Sequence, residues 1–176
     1  MSSKRNMMIC PRCWNKNRPC DKCEDTGYVP NVQLSDNFTL WELVRSNEAM
    51  TRGIPNDPIV RELDRLREMC QRLVQKVRNA KGLLTVTSGF RSLALNRAVK
   101  GSPTSAHPAA RAMDVVPKNC SLTDLMHWFA DTDIGFDQAI LEPGWVHIGY
   151  KHPTSGQQRR QLLQKYGPGD YRVWRP

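Results

Sequence analysis

Four cysteines between positions 10 and 23 limit what the start of this chain can fold into. In CPRCWNKNRPCDKC, Cys10, Cys13, Cys20 and Cys23 form two CxxC pairs separated by six residues. That spacing lets four thiolates converge on one tetrahedral zinc. The residues around them are largely Pro, Asn, Arg and Lys, which supply little apolar surface. A segment this short must then draw its folding energy from a metal. Two disulfides are the alternative. The opening MSSKRNMMIC has no apolar run of the length a secretory signal needs, which predicts synthesis in a reducing cytoplasm, where thiols stay free. Four thiolates leave no open position for a substrate, so the predicted zinc is structural. The segment also lacks the paired histidines and recognition helix of the commonest DNA-reading finger, which makes nucleic acid the less favoured partner. The expected division is a zinc knuckle over residues 1–28 and a second domain over 29–176, long enough to bury a core.

Charge narrows the partners only weakly. Lys and Arg number 26 against 17 Asp and Glu, a net charge of +9 that favours an anionic partner such as nucleic acid or a cell-wall polymer. The positive residues are scattered, so charge alone does not choose between them. No apolar run approaches the roughly 18 residues of a membrane span, and no membrane insertion is expected.

After the knuckle, GYVPNVQLSDN reads as a linker, and the chain then alternates helices and strands. FTLWEL opens a helix with Thr39 as N-cap, Glu42 three residues on, and Phe38 and Leu43 positioned as a hydrophobic staple. The long segment from Asp57 to Gly82 carries Ile59, Leu63, Leu66, Cys70, Leu73 and Val77 at intervals of four and three, one face of a helix. Asp57 is its expected N-cap, with Pro58 at the first helical position. LLTVTS, RAMDVV, FDQAILE and WVHIGY read as strands, the last two joined by a Pro143-Gly144 turn. LALNRAV and SLTDLMHWFADT read as helices, and QQRRQLLQKYG as a closing helix. The solitary Cys70 and Cys120 are expected to be packing residues.

One strand carries a residue that does not belong in a core. Asp114 sits among Met113, Val115 and Val116, where an unpaired carboxylate is expensive to bury. A cation could satisfy it, and so could Arg111 or loop amides. If a cation does, His107 and His147 are the natural co-ligands, giving two nitrogens and one oxygen with a fourth position open for water. His127, beside Trp128 and Phe129, reads as a packed or surface residue, and His152 lies in a loop.

The run TSGFRSLALNRAVKGSPTSAHPAARAMDVV, followed by FDQAILEPGWVHIGY, resembles the zinc D-alanyl-D-alanine peptidase family, which groups with lysostaphin-type and hedgehog-like folds, and in particular its phage endolysin-like branch. Ser105, His107, Ala112, Asp114 and Trp145-Val146-His147 match its motifs, and the resemblance spans residues 34 to about 163. Two positions depart from the pattern: Ala110 stands where a glycine is expected, and Pro108 follows the histidine directly. The four-cysteine knuckle is not part of that pattern.

The resemblance implies an α+β fold, with a small antiparallel sheet carrying the zinc site and helices packed on it. It implies His107, Asp114 and His147 as ligands of one catalytic Zn2+, beside the structural Zn2+ of the knuckle. Arg91 would bind a substrate carboxylate or carbonyl, with Ser105 in the same pocket. Glu142, five residues before His147, is the expected general base, and Asp137 its rival. Five is an odd separation, so the two side chains share a face only if the Pro143-Gly144 turn folds the chain between them. The implied activity is hydrolysis of peptidoglycan stem peptides, as a phage endolysin or a virion-associated lysin reaching the wall after release. The alternative is a non-catalytic virion or nucleic-acid-binding module that keeps the fold and meets partners through the knuckle.

Overall fold

The computed structural model describes residues 6–16 and 19–176; Asn17 and Arg18 of the knuckle and the first five residues lie outside the described residues. Short strands β1 (Met7–Ile9) and β2 (Tyr28–Pro30) pair antiparallel and close the four-cysteine segment between them. The supposed linker is therefore folded. Its remainder forms a second hairpin, β3 (Gln33–Ser35) with β4 (Phe38–Thr39). The buried Gln75 fixes this hairpin, its Oε1 accepting from Ser35 Oγ and Asn37 N, both at 3.0 Å. That contact reaches across about 40 positions, so the local run of turn-forming residues could not announce it.

Helix α1 (Leu40–Val44) starts as expected, with Glu42 accepting from both the Thr39 amide and hydroxyl and with Phe38 and Leu43 buried in the main core. A short helix α2 (Asn47–Arg52) follows, capped by Ser46. The long helix begins two residues later than predicted: α3 (Val60–Met69) has Ile59, not Asp57, at its N-cap. Glu62 accepts from the Ile59 amide, while Asp57 is drawn away by Arg12 and Lys22 of the knuckle. A π-helical turn, Cys70–Val74, joins α3 to α4 (Gln75–Lys81), and Gly82 ends the rod at φ 79°. Leu66, Cys70, Leu73 and Val77 are fully buried, as the stripe predicts, whereas Ile59 at its end is exposed.

The core sheet has six strands in the order β10-β9-β7-β8-β6-β5. They are β5 (Leu84–Ser88), β6 (Ala112–Pro117), β7 (Gln138–Glu142), β8 (Trp145–Gly149), β9 (Gln161–Gly167) and β10 (Asp170–Val173). Helix α5 (Leu93–Ala98) follows β5 and α6 (Leu122–Asp131), capped by Ser121, follows β6. The α+β class holds, but the sheet is mixed: β9 runs parallel to β7. The expected closing helix over QQRRQLLQKYG is instead strand β9, held by pairing to β7 on one side and β10 on the other.

Alternation along the strands gives the sheet two unlike faces. Met113, Val115, Val146, Ile148 and Ala139 share one face and are fully buried in the core with Leu125 and Phe129 of α6. Asp114, His147, Ile140 and Glu142 share the other. Cys70 is buried as expected, but Cys120 is only half-buried in the turn before α6.

Candidate metal centre

The site is written across paired strands. Asp114 lies directly opposite His147 in the β6–β8 ladder, so both side chains leave the same face. Between Val86 and Ser88 the register of β5 shifts, leaving Ser88 rather than Thr87 opposite Asp114. The bulge turns Ser88 onto the Asp114 face, where strict alternation would keep it with Val86. Its Oγ accepts from Arg91 Nε at 2.9 Å.

His107 comes from the loop between α5 and β6. Its Nδ1 sits 2.6 Å from the Gly89 carbonyl, which can only accept, so the proton is on Nδ1 and the Nε2 lone pair faces the centre. Gly89 itself packs on the Leu43 main chain, where a Cβ would collide. The main chain that orients His107 is thus held by a position only glycine fits. Ala110 adopts φ 58°, the left-handed conformation that explains the glycine of the related pattern. Ser105 supports the same loop, its Oγ accepting from the His107 amide at 3.3 Å.

Three donor atoms converge. His107 Nε2 is 3.3 Å and His147 Nδ1 2.9 Å from Asp114 Oδ1, and all three residues are buried. A tetrahedral ion with bonds of about 2.0–2.1 Å sets its ligands about 3.3 Å apart, so the three fit one ion with a position left over. Burial pushes the His107 pKa down, against the pull of Asp114, and keeps the ring neutral as a ligand must be. For Asp114, burial alone raises the pKa, but the attraction and hydrogen bonds of His107 and His147 outweigh it and hold the carboxyl below the usual range.

Asp114 is satisfied by neither Arg111, which binds Glu68 at 2.6 Å, nor loop amides; its second oxygen accepts from Arg91 Nη2 at 2.9 Å. Arg91 also lies 3.2 Å from His107 Nε2, which places the predicted substrate-binding guanidinium at the centre. This pairing is not legible in the sequence, because Arg91 is separated from Asp114 by 23 positions with no local pattern between them.

Glu142 lies opposite Trp145 across the Pro143-Gly144 turn, and Ile140 opposite His147, so the hairpin brings Glu142 to the His147 face as required. Both line one cleft of about 1540 Å³ together with His107, Asp114, Arg91 and Ser105. Lys165 of β9, which the sequence analysis did not single out, binds Glu142 Oε2 at 2.7 Å. Asp137 is not brought to the cleft. It is fully buried and held by Arg159 through two bonds of 2.6 and 2.8 Å. The Trp145 Nε1 is buried on the cleft wall with no hydrogen-bond partner.

The knuckle forms a second donor set. Its four thiols are free and buried, with Cys10 Sγ 3.9 Å from Cys20 Sγ and Cys13 Sγ 3.6 Å from Cys23 Sγ. A tetrahedral ion with Zn–S bonds of about 2.3 Å sets its sulfurs about 3.8 Å apart. The backbone and side-chain hydrogen bonds around Cys20 outweigh its burial and lower its pKa to about 7, while burial raises Cys13 to about 12. His127 is exposed against Trp174, and His152 lies in a loop bonded to Ser155.

The three donors could hold a metal ion at the floor of the cleft, and comparison with known families gives the class: a model described as Peptidase M15 matches residues 36–149, about two-thirds of the chain. The chain belongs to the Peptidase M15 family, whose members are zinc-dependent. The match leaves out the knuckle and the β9–β10 hairpin. No curated protein matches the chain.

Proposed function

We propose that the chain is a zinc peptidase that cleaves the stem peptides of peptidoglycan, with His107, Asp114 and His147 holding the catalytic ion and Glu142 acting as general base. The observation that carries this reading is the convergence of three buried donors and Glu142 on one face of the sheet, in one cleft. A zinc ion held by His107, Asp114 and His147 would lower the pKa of a water toward about 7 and would polarise the scissile carbonyl. The residues do the rest. Glu142 takes the proton of the attacking water on a carboxylate oxygen and hands it to the leaving amine. Lys165 holds that carboxylate by its other side. Arg91 can release one of its bonds at the centre to fork onto a substrate carboxylate, the geometry guanidinium favours.

Arg45, Arg91, Lys100, Arg159 and Lys165 outnumber Asp114 and Glu142 along the cleft, which suits a peptide rich in carboxylates. The knuckle holds a second, structural zinc. We place the chain among phage endolysins or virion-associated lysins on the resemblance over residues 34 to about 163; among the described residues no helix is long and apolar enough to cross a membrane. Incubating the zinc-loaded protein with purified sacculi, with and without chelator, and identifying new termini by mass spectrometry tests the reading. New peptide termini that vanish with chelator or with His147→Ala support it. Binding to sacculi or DNA with no peptide released refutes it in favour of a binding module.

A further inference from the structure

The segment Ile54–Asp57 is gripped from two sides. On one side stands the four-cysteine segment. Trp14 Nε1 donates to the Ile54 carbonyl at 2.6 Å, the Asn56 amide donates to the Pro11 carbonyl at 2.7 Å, and Arg12 and Lys22 bind the Asp57 carboxylate at 3.0 and 3.2 Å. Trp14 is buried with Ala49 and Leu95, its ring tilted against Trp41. Trp14 takes φ 54°, a left-handed backbone that a bulky residue adopts only when its surroundings impose it, and Asn15, a residue that tolerates this conformation, follows at φ 54°. The knuckle therefore docks through a defined surface and is no loose appendage.

On the other side stands the turn that carries Arg91. Asn56 is fully buried, and its amide group spends every donor and its acceptor on main chain. Nδ2 donates to the carbonyls of Val44 at 2.7 Å and Phe90 at 3.0 Å, and Oδ1 accepts from the Ser92 amide at 2.7 Å. Ser92 Oγ returns to the Pro55 carbonyl at 2.8 Å. Phe90 and Ser92 are the two neighbours of Arg91, so Asn56 clamps the main chain on both sides of the guanidinium that reaches Asp114. The direction of the Asn56 amide is unambiguous, since a flipped oxygen would face two carbonyls.

We propose that the four-cysteine segment positions Arg91 through the strut Ile54–Asp57, with Asn56 as the positioning residue at its centre. The contacts of the strut cross the boundary of the family match: the strut and Arg91 lie inside it, Pro11 and Trp14 outside. The knuckle is thus an added part that sets a substrate-binding group about 80 positions away, and its consequence for turnover rests on the carboxylate-binding role given to Arg91 above. A displaced guanidinium weakens substrate capture more than it slows the chemical step, because Glu142, Asp114 and His147 lie on strands the strut does not touch, and Gly89, whose carbonyl orients the loop residue His107, is seated on the Leu43 main chain independently of the strut.

The test is made on the full chain, with Cys20→Ser to disturb the knuckle and Trp14→Phe, which keeps an aromatic side chain but removes the indole donor and part of its volume, as the milder variant should the first fail to fold. Amide hydrogen exchange reads the strut without any turnover. The Asn56 and Ser92 amides are expected to exchange at least about fivefold faster in both variants, the factor that loss of one hydrogen bond gives, with the β6 and β8 amides unchanged. On a soluble stem pentapeptide, KM is expected to rise about tenfold with kcat within about twofold. In an Arg91→Met background, the same knuckle change is expected to add nothing further. Exchange at Asn56 and Ser92 that stays at the wild-type rate while the knuckle amides open overturns the proposal, as does a KM effect that multiplies independently of Arg91→Met. If the wild type cleaves no peptide, the hydrolytic reading fails and the exchange data still decide the strut.

Discussion

Replacing Glu142 with glutamine separates catalysis from stability at this site. The substitution keeps the shape of the side chain, and its carbonyl oxygen can still accept from Lys165, whose side chain is 30% exposed. A partly exposed ion pair contributes less than about 1 kcal/mol, so the melting temperature should move by less than about 4 °C. Turnover should fall by at least about a hundredfold, because the amide cannot take a proton from water. Asp137→Asn should do the reverse. Its carboxylate is 1% exposed and held twice by Arg159, whose own side chain is 32% exposed and so only partly stranded by the change. A cost of about 2–3 kcal/mol lowers the melting temperature by about 4–12 °C while the folded fraction keeps its turnover. Thermal melts, zinc content and initial rates on a soluble stem peptide give all three quantities on one preparation. Near-normal turnover in Glu142→Gln, with Asp137→Asn folded but inactive, refutes the assignment of the base.

Lys165→Met frees the Glu142 carboxylate to rotate, and kcat measured in the same assay should fall about tenfold with zinc content unchanged; an unchanged kcat removes Lys165 from the site. Ala110→Gly relieves a left-handed alanine but adds freedom to the unfolded chain, so denaturant titration should find stability within about 1 kcal/mol of wild type. A large loss there would mean that the buried methyl, not the backbone conformation, governs the position. The depressed pKa values of His107 and Asp114 have the same sign for stability, since in both cases the unfolded chain binds protons first as pH falls. The metal-free protein should therefore lose stability from about pH 6.5 downward, and His107→Gln should flatten the upper part of that decline in pH-dependent melts.

The parts of the fold that were legible in the sequence are those set by local rules. The Leu66-Cys70-Leu73-Val77 stripe and the Thr39 cap appear where spacing put them. A buried aspartate in an apolar strand pointed to a site because desolvation demands a partner. The odd spacing of Glu142 and His147 required a turn, and the hairpin supplies it. What escaped depends on distant pairing. The β9–β10 hairpin is a strand because β7 offers an open edge, the supposed linker folds because Gln75 reaches it, and Asp57 leaves its expected cap because the knuckle binds it. The Arg91–Asp114 pair and the Lys165–Glu142 pair each cross 23 positions, beyond the reach of any periodic pattern.

Anomalous scattering at the zinc absorption edge, from crystals of the zinc-loaded protein, tests the two metal sites directly. Two peaks per chain are expected: one within bonding distance of His107 Nε2, Asp114 and His147 Nδ1, and one among the sulfurs of Cys10, Cys13, Cys20 and Cys23. A single peak at the cysteines, with Arg91 still bonded between Asp114 and His107 at saturating zinc, would contradict the proposed catalytic site.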